Sequence, residues 1–474
     1  MDTRNKSAYL FMITLVASLG GFLFGFDMAV VSGILPLLQK QFSLSAFQEG
    51  WFVSSALVGC IVGVAISGEL SDRLGRKKPL LLAAFLFLLS ALGCSLLPSL
   101  TGIITARIVG GIGIGLASNV VPLYISEIAP ARIRGRLVTY YQLAVTLGIL
   151  AAYLTNSALL NYALEHTNDT GGLMHTFLVR EVWRGMFGIG VIPALFFVLG
   201  LFVVPESPRW LIRRHREQEA TAILNRINNP IEAHASLQLG RQSQKQAPIS
   251  YRSLLEPQWR KALVIGILLP LFSQFSGINA IIYYGPSILS NAGISLSNSL
   301  LSQIIFGGAN MLFTLIAIWK VDSLGRRPLY LAGTAGATIS LLATGICFYA
   351  GATTGWPLLL CVLAFLASFA FSIGPLKFVV ASEIFPGIIR GRAMAISIMV
   401  MWIADTIVGQ LTPIFLKSIG TAFTFWFFAA CCLIAFITVY KLLPETKGKS
   451  LEQIENDWKD RAKEQDLYVT PVGH

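Results

Sequence analysis

Charged side chains are scarce in this sequence. They account for 13% of the 474 residues, whereas soluble globular domains carry about 25%. Hydrophobic residues make up 54% of the chain, and the mean hydropathy is +0.67. This composition excludes an ordinary soluble domain and favours a protein that lies within a lipid bilayer.

Cysteine and histidine are also few, with six and five residues. All the cysteines lie in apolar segments and none has metal-ligand spacing with histidine, so we interpret them as packing residues. His166, His175 and His215 lie outside these segments. Since no nucleophile–base motif or phosphate-binding loop is present, we expect no enzymatic activity, no metal and no cofactor. The cysteines are Cys60, Cys94, Cys347, Cys361, Cys431 and Cys432.

Long apolar runs, in contrast, recur along the whole chain. A membrane-spanning helix requires roughly 20 mostly apolar residues. The first such run is too long for the apolar core of a signal peptide, so we expect it to be retained. The sequence thus predicts an all-α membrane protein with twelve transmembrane helices. We place them at 9–38, 50–70, 79–98, 101–125, 137–160, 183–204, 260–290, 298–319, 328–350, 357–381, 393–416 and 422–443.

Basic residues mark alternate connections between these segments. A net charge of +12 would suit a nucleic-acid-binding protein, but the other short connections are nearly free of Lys and Arg. Cytoplasmic loops carry such an excess of positive charge. We therefore expect both termini and the polar stretch 205–259 to be cytoplasmic. The basic positions are Arg4, Lys6, Arg73, Arg76, Lys77, Lys78, Arg132, Arg134, Arg136, Arg326, Arg327, Arg390 and Arg392.

An internal repeat divides the chain into two halves, since three motifs recur in the same order about half a chain apart. Two halves of like orientation are typical of transporters that bind substrate near the membrane midplane. The motif pairs are SDRLGRK (71–77) with VDSLGRR (321–327), SEIAPARIRGR (126–136) with SEIFPGIIRGR (382–392), and VPESPRW (204–210) with LPETKGK (443–449). The predicted parts are an N-terminal six-helix bundle at 1–204, a cytoplasmic linker at 205–259, a C-terminal six-helix bundle at 260–443 and a cytoplasmic tail at 444–474.

Together these motifs resemble those of the major facilitator superfamily, and within it the sugar porter family. The resemblance covers nearly the whole chain and is carried by GELSDRLGRKK, the two E-x-x-P-x-x-x-R-G motifs, PESPRWL and PETKGKS. It implies two pseudo-twofold-related six-helix bundles joined by a linker with short helices. EQEATAILNRI (217–227) has the periodicity of such a helix.

Charged residues of both signs accompany the repeated motifs. Arginine suits bidentate pairing with carboxylates at a partly dehydrated surface. The resemblance implies that these pairs form a cytoplasmic gate, which closes the inside in the outward-facing state; static bracing of the loops is the alternative. The residues are Asp72, Arg73, Arg76, Glu127, Arg134, Glu206, Asp322, Arg326, Arg327, Glu383, Arg390 and Glu445.

Two charged residues lie inside the apolar segments of the first half. Asp27 is about 27 Å along the first helix and Arg107 is about 9 Å from the outer end of the fourth, at ~1.5 Å per residue. The two depths are therefore compatible, in the outer half of the membrane. Charged groups inside a membrane usually face partners or water. The resemblance is to the proton-coupled branch, in particular bacterial xylose/proton symporters, and implies that Asp27 and Arg107 couple proton movement; a static ion pair is the alternative.

A second set of buried charges lies in the other half. Lys377 falls on the tenth predicted helix and Asp405 near the middle of the eleventh, where related sugar carriers usually have uncharged residues. A mutual salt bridge is one interpretation. A contact between Lys377 and a negatively charged substrate is another, and a second titrating site is a third.

Polar and aromatic residues in apolar helices point to a sugar site. Amides and hydroxyls exchange hydrogen bonds with sugar OH groups, and an aromatic face suits the ring. In FSQFSGINAIIYY (272–284), Ser276–Gly277 allows the helix to break. The resemblance implies substrate contacts or an outer gate for Phe24, Gln142, Gln274, Asn279, Tyr283, Tyr284, Asn310 and Trp402, to which we add Lys377 and Asp405.

Several positions depart from the family pattern. The paired glutamines of the seventh helix are here Ser273 and Gln274, and other polar or tryptophan positions are occupied by Ile149, Phe378 and Met401. The lost donors leave open a smaller, deoxygenated or acidic sugar.

The sequence therefore predicts a symporter that carries a monosaccharide with a proton by alternating access. A facilitative uniporter or exchanger is one alternative, and a symporter of an acidic sugar derivative is another. A nutrient sensor on a transporter fold is a third, although such sensors usually need a long signalling tail. We expect a small sugar, a proton and the lipid bilayer of the cell membrane as partners, with neither nucleic acid nor an obligate protein partner.

Overall fold

The apolar segments form helices because a spanning chain must satisfy its backbone hydrogen bonds within itself. A computed structural model describes residues 3–130, 133–167, 172–227, 233, 237–238, 254–291, 293–353, 356–385, 389–445 and 447. Within these residues, twelve helical spans are long and apolar enough to cross a membrane, as predicted. The chain is therefore an all-α, multi-pass membrane protein.

Among the first six spans, the first, second, fourth and fifth are longer than the apolar segments that predict them. The first helix has 40 residues and extends roughly 60 Å at 1.5 Å per residue, twice the ~30 Å of a bilayer core. Hydropathy detects only the part of a helix that lies in lipid, so the predicted ends of these helices fall inside the observed ones. The helices are Thr3–Phe42, Ala46–Leu74, Lys77–Leu96, Leu100–Ile128, Arg134–Glu165 and, for the sixth span, Val182–Gly188 with Val191–Val203. Shorter helical segments precede the sixth span at Gly172–His175 and Thr176–Arg180.

The second six spans include two that are interrupted. The seventh breaks between its two helices at Ser276–Gly277, where Gly277 adopts φ +83°, a conformation that side chains with a Cβ rarely adopt. The tenth contains the π-helical turn Phe369–Ile373, and such turns are frequent at functional sites. The helices are Pro257–Phe275 with Ile278–Asn291, Leu296–Leu324, Arg326–Tyr349, Trp356–Ser368 with Gly374–Ile384, Arg390–Ser418 and Thr421–Leu442.

The glycines at 110–115 pack the fourth span against its neighbours. A Cβ at Gly111 would lie 1.9 Å from the backbone oxygen of Ala56, and one at Gly115 would lie 2.3 Å from that of Cys60. Small residues permit such close backbone approach. The second and fourth spans are thereby held together beside the buried Arg107.

Replacing Gly111 by alanine should destabilise this contact, because the added Cβ would meet backbone rather than a movable side chain. Overpacking of this kind costs about 1–3 kcal/mol. We expect the melting temperature of the purified protein to fall by several degrees in G111A. Gly68, on the same second span, has nothing within 4 Å of an added Cβ, so G68A is the matched control. Equal melting temperatures for the two variants would contradict the packing described here.

Two short helices follow the sixth span, at Pro208–Arg213 and Glu217–Ile227, and the second matches the predicted helix at 217–227. Leu211, Ile212 and Ala220 form a small apolar core between them. Trp210 Nε1 donates to the backbone oxygen of Asp72 at 3.0 Å, so the helix Pro208–Arg213 is fastened to the C-terminal end of the second span. Most of the predicted linker beyond 227, and the predicted tail from 448 onward, lie outside the described residues.

The chain forms two compact units. One comprises Met1–Ala247, Asn279–Met311 and Gly409–Ser418, and the other comprises Pro248–Ile278, Leu312–Val408 and Ile419–His474. The first unit thus includes the second helix of the seventh span and the end of the eleventh. The division into bundles at 1–204 and 260–443 stays a prediction.

Candidate functional site

The first copy of the repeated charged motifs forms a buried cluster around Arg76. Its Nε and Nη2 donate to the two carboxylate oxygens of Glu127 at 2.9 and 2.8 Å, and Ser207 Oγ donates to the same carboxylate. The Arg76 backbone N–H donates to Glu206 at 2.8 Å. Gly75, where a Cβ would meet the Glu206 carboxylate, adopts φ +92°, a conformation that favours glycine. The cluster joins the second, third and fourth spans to the segment after the sixth.

The second copy builds the same arrangement around Arg326. Its Nη2 donates to Glu383 at 2.8 Å. The backbone N–H groups of Arg326 and Arg327 donate to the two oxygens of Glu445, both at 3.0 Å. In each repeat, therefore, the arginine of the first motif pairs with the glutamate of the second motif, and its backbone N–H donates to the glutamate of the third motif.

The other predicted gate residues are placed differently. Asp72 is two-thirds exposed, with Oδ1 at 3.5 Å from Arg76 Nη1. Arg73 pairs on the surface with Glu69 at 2.6 Å rather than with Glu127. The side chains of Arg134, Asp322 and Arg390 lie outside the described residues.

Asp27 and Arg107 lie together in the first unit. Arg107 Nη1 is 3.9 Å from Asp27 Oδ2, and the side chains are 1% and 19% exposed, respectively. This is an ion-pair distance, but it is too long for a hydrogen bond. The carboxylate is thus the more accessible member of a loosely joined pair.

The anchor of Arg107 is a backbone group that sequence reasoning did not identify. Arg107 Nε donates to the backbone oxygen of Phe52 at 3.0 Å, and the guanidinium lies 5.0 Å from the centre of the Phe52 ring. Arg107 is therefore fixed to the second span, whereas Asp27 belongs to the first. No residue type marks a backbone acceptor, so the sequence carried no signal for it.

Six of the ten residues predicted for the sugar site or the outer gate belong to the first unit. Tyr283 and Tyr284 are buried; the Tyr283 hydroxyl donates to Met28 Sδ at 3.7 Å and the Tyr284 hydroxyl to the backbone oxygen of Gly409 at 2.6 Å. The two tyrosines thus connect the seventh span to the first and eleventh. The half-buried members of this set are Phe24, Gln142, Asn279 and Asn310.

The remaining four belong to the second unit, and all are buried: Gln274, Trp402, Lys377 and Asp405. Lys377 Nζ donates to Ser273 Oγ at 3.0 Å. The pairing of Lys377 with Asp405 stays a prediction, whereas the observed partner of the lysine is a serine that the sequence marks only as a lost glutamine.

A further set of polar contacts, absent from our predictions, joins the second span to the end of the eleventh. Lys417 Nζ donates to Glu49 Oε1 at 3.2 Å. Ser54 Oγ donates to Gln410 Oε1 at 2.8 Å, and Gln410 Nε2 donates to the backbone oxygen of Phe47 at 3.1 Å. We call these contacts the 2–11 clamp. The partners are more than 350 residues apart, so only the folded chain reveals them.

Twelve membrane helices, duplicated arginine–glutamate clusters and polar residues buried within the helices define a membrane transporter built from a repeat. The family model for "Sugar (and other) transporter" matches residues 13–458, and the chain belongs to that family.

Two relatives align along nearly their whole length. The chain is 42% identical to the arabinose-proton symporter of Bacillus subtilis, with 96% of this chain and 97% of the relative covered. It is 38% identical to the D-xylose-proton symporter of Escherichia coli, with 98% of each covered. A solved structure of the xylose transporter XylE from E. coli, in an inward-open conformation, has a TM-score of 0.80 at 37% identity, covering 95% of this chain and all of that one.

Proposed function

We propose that this chain is a proton-coupled symporter of a monosaccharide that works by alternating access. The observation that carries the proposal is the pair formed by Asp27, which is 19% exposed, and the buried Arg107. A carboxylate inside a membrane is energetically costly, and such residues usually mark substrate or proton pathways. The names of the arabinose- and xylose-proton symporters, at 42% and 38% identity, support the same function.

Asp27 is the proton carrier in this proposal. Burial favours the neutral carboxyl, whereas a nearby guanidinium favours the charged form. Because Arg107 is fixed to the second span at Phe52, a shift of the first span changes the Asp27–Arg107 distance. Coulomb attraction at an effective dielectric constant of 20 is about 4 kcal/mol at 4 Å and half that at 8 Å. A difference of about 2 kcal/mol changes proton affinity more than tenfold.

In this proposal the sugar is bound within the membrane-spanning helices, and alternating access opens its site to one side of the membrane at a time. The polar and aromatic side chains named above supply the hydrogen bonds and ring contacts. The clusters around Arg76 and Arg326 belong to the gate on the side of the termini. In this proposal the transporter spans the plasma membrane several times. The excess of positive charge in the loops on that side favours placing it, with both termini, in the cytoplasm.

Uptake into proteoliposomes tests the proposal. With the membrane potential held at zero and the outside one pH unit more acidic, a symporter that moves one proton per sugar accumulates sugar about tenfold, since one pH unit corresponds to 1.36 kcal/mol. We expect this ratio for L-arabinose or D-xylose, and its loss when a protonophore is added. Equilibration without accumulation for every sugar tried would identify a facilitator instead.

A further inference from the structure

Gln303, on the eighth span, buries its side-chain amide without a hydrogen-bond partner. The residue is 0% exposed, and neither Oε1 nor Nε2 bonds to any residue that the structure describes. It lies about 10 Å from the start of the helix Leu296–Leu324, at 1.5 Å per residue, and so within the predicted apolar segment. An amide in such a place is unfavourable, because it has given up water and received no hydrogen bond in exchange.

The amide lies against the second helix of the seventh span, Ile278–Asn291. A Cβ at Gly285 would lie 1.9 Å from Gln303 Nε2, so the amide occupies the space that a side chain at position 285 would need. Both residues belong to the first unit. The position of this helix therefore keeps the amide away from water.

Two more polar groups of the same helix are poorly satisfied. Ser287 Oγ is buried and has no partner among the described residues. Pro286 has no N–H, so the backbone oxygen of Ile282 lacks its usual helical donor. That oxygen accepts from the Tyr153 hydroxyl at 3.4 Å, which is longer than an ordinary O–H···O bond. The packed position of the helix is thus costly at three places.

The chain is built so that this helix can move. It begins just after the interruption at Ser276–Gly277, where the backbone takes the positive φ of +83°. A few residues at the end of an element commonly serve as the hinge for such a segment. A pivot away from the eighth span would uncover Gln303, because Gly285 is the residue that covers its amide.

We propose that Gln303 is a built-in conformational bias, which destabilises the state that is closed on the side opposite the termini. The amide is buried without a partner when the second helix of the seventh span packs on the eighth, and it is hydrated when that helix moves away. This bias opposes the 2–11 clamp, which holds the same side closed, so the empty protein is not locked shut. The proposal rests on the alternating access proposed above.

Replacing Gln303 by methionine tests the proposal, because methionine has a similar length and no group that needs a hydrogen bond. We expect the melting temperature of purified Q303M to rise by a few degrees, although most substitutions of buried residues lower it. Q303L should act in the same direction and guards against a packing defect peculiar to methionine.

A cysteine at Ser299 reports the opening, in a background without the six native cysteines. Ser299 is 0% exposed and lies one helical turn before Gln303 on the same face. A membrane-impermeant thiol reagent reaches it in proportion to the open fraction when that fraction is small. We expect Q303M to slow the labelling about five- to a hundredfold, equivalent to about 1–3 kcal/mol at 1.4 kcal/mol per tenfold.

Three outcomes would overturn the proposal. An unchanged or lower melting temperature in both Q303M and Q303L would mean that the amide is satisfied in the folded protein. A raised melting temperature with unchanged labelling would mean that the amide is equally buried in both states. Faster labelling would mean that Gln303 holds the side closed.

The matched control is T344V, on the ninth span. Thr344 is also 0% exposed, but its Oγ1 donates to the backbone oxygen of Ser340 at 2.8 Å, so T344V should not raise the melting temperature. Both measurements are made without sugar and without a pH gradient. A parent protein that accumulates no sugar would therefore defeat the proposed symport and leave this test intact.

Discussion

Replacing Asp27 by asparagine is expected to abolish gradient-driven sugar accumulation while leaving sugar exchange intact. Asparagine has nearly the size of aspartic acid but takes up no proton, so D27N resembles the protonated state permanently. Under a gradient of one pH unit, the ratio of inside to outside sugar should fall from about 10 in the parent protein to about 1 in D27N. Counterflow requires only that the sugar-loaded protein change its access side, and it should continue at a rate comparable to that of the parent.

Two controls separate coupling from damage to the fold. D27E keeps a titrating carboxyl and should retain part of the accumulation. E69Q removes a carboxylate that is 68% exposed on the second span and should accumulate sugar like the parent protein. Normal accumulation by D27N would place the proton site elsewhere, with Asp405 as the next carboxylate to test.

Hydropathy and the repeat made most of the fold predictable. The twelve spans follow from the length of apolar segments, which the bilayer imposes. Asp27 and Arg107 could be matched because helix rise converts sequence position into depth. The Arg76 and Arg326 clusters were predictable in part, since their glutamates recur at corresponding positions of both repeats.

The contacts that escaped prediction involve backbone groups or distant partners. The Phe52 carbonyl holds Arg107, and a backbone oxygen is present at every position of the chain. Arg73 is predicted to belong to the gate with Arg76, yet its side chain is exposed and pairs with Glu69, one helical turn away. A sequence motif indicates which charged residues are close together in the chain. Which of them is buried depends on the face of the helix on which each one lies.

Weakening the 2–11 clamp is expected to favour the state that is open on the side opposite the termini. In the alternating access proposed above, we expect these helix ends to separate when sugar is admitted from that side. Gln410 makes two side-chain hydrogen bonds, to Ser54 and to the backbone of Phe47, each contributing about 0.5–1.5 kcal/mol. The pair Glu49–Lys417 contributes less, about 0.2–1 kcal/mol, because Lys417 is 51% exposed and screened by solvent.

The clamp therefore predicts an order of effects as well as a direction. Q410A should shift the ratio of open to closed protein about five- to a hundredfold, since each 1.4 kcal/mol is tenfold, and E49Q should shift it only a few-fold. A cysteine introduced at Leu57, which is fully buried beside Gly409, in a background without the six native cysteines reports the opening. Its labelling rate by a membrane-impermeant thiol reagent should rise most in Q410A.

The exposed pair Glu69–Arg73 supplies the control, because it lies within one helix and joins nothing across the bundle. E69Q should leave the labelling rate at position 57 unchanged. A larger effect for E49Q than for Q410A would mean that the ion pair, despite its exposure, holds the clamp. Equal labelling in Q410A and the parent would mean that these contacts persist when the side opens, and the clamp would then be part of a rigid unit rather than of a gate.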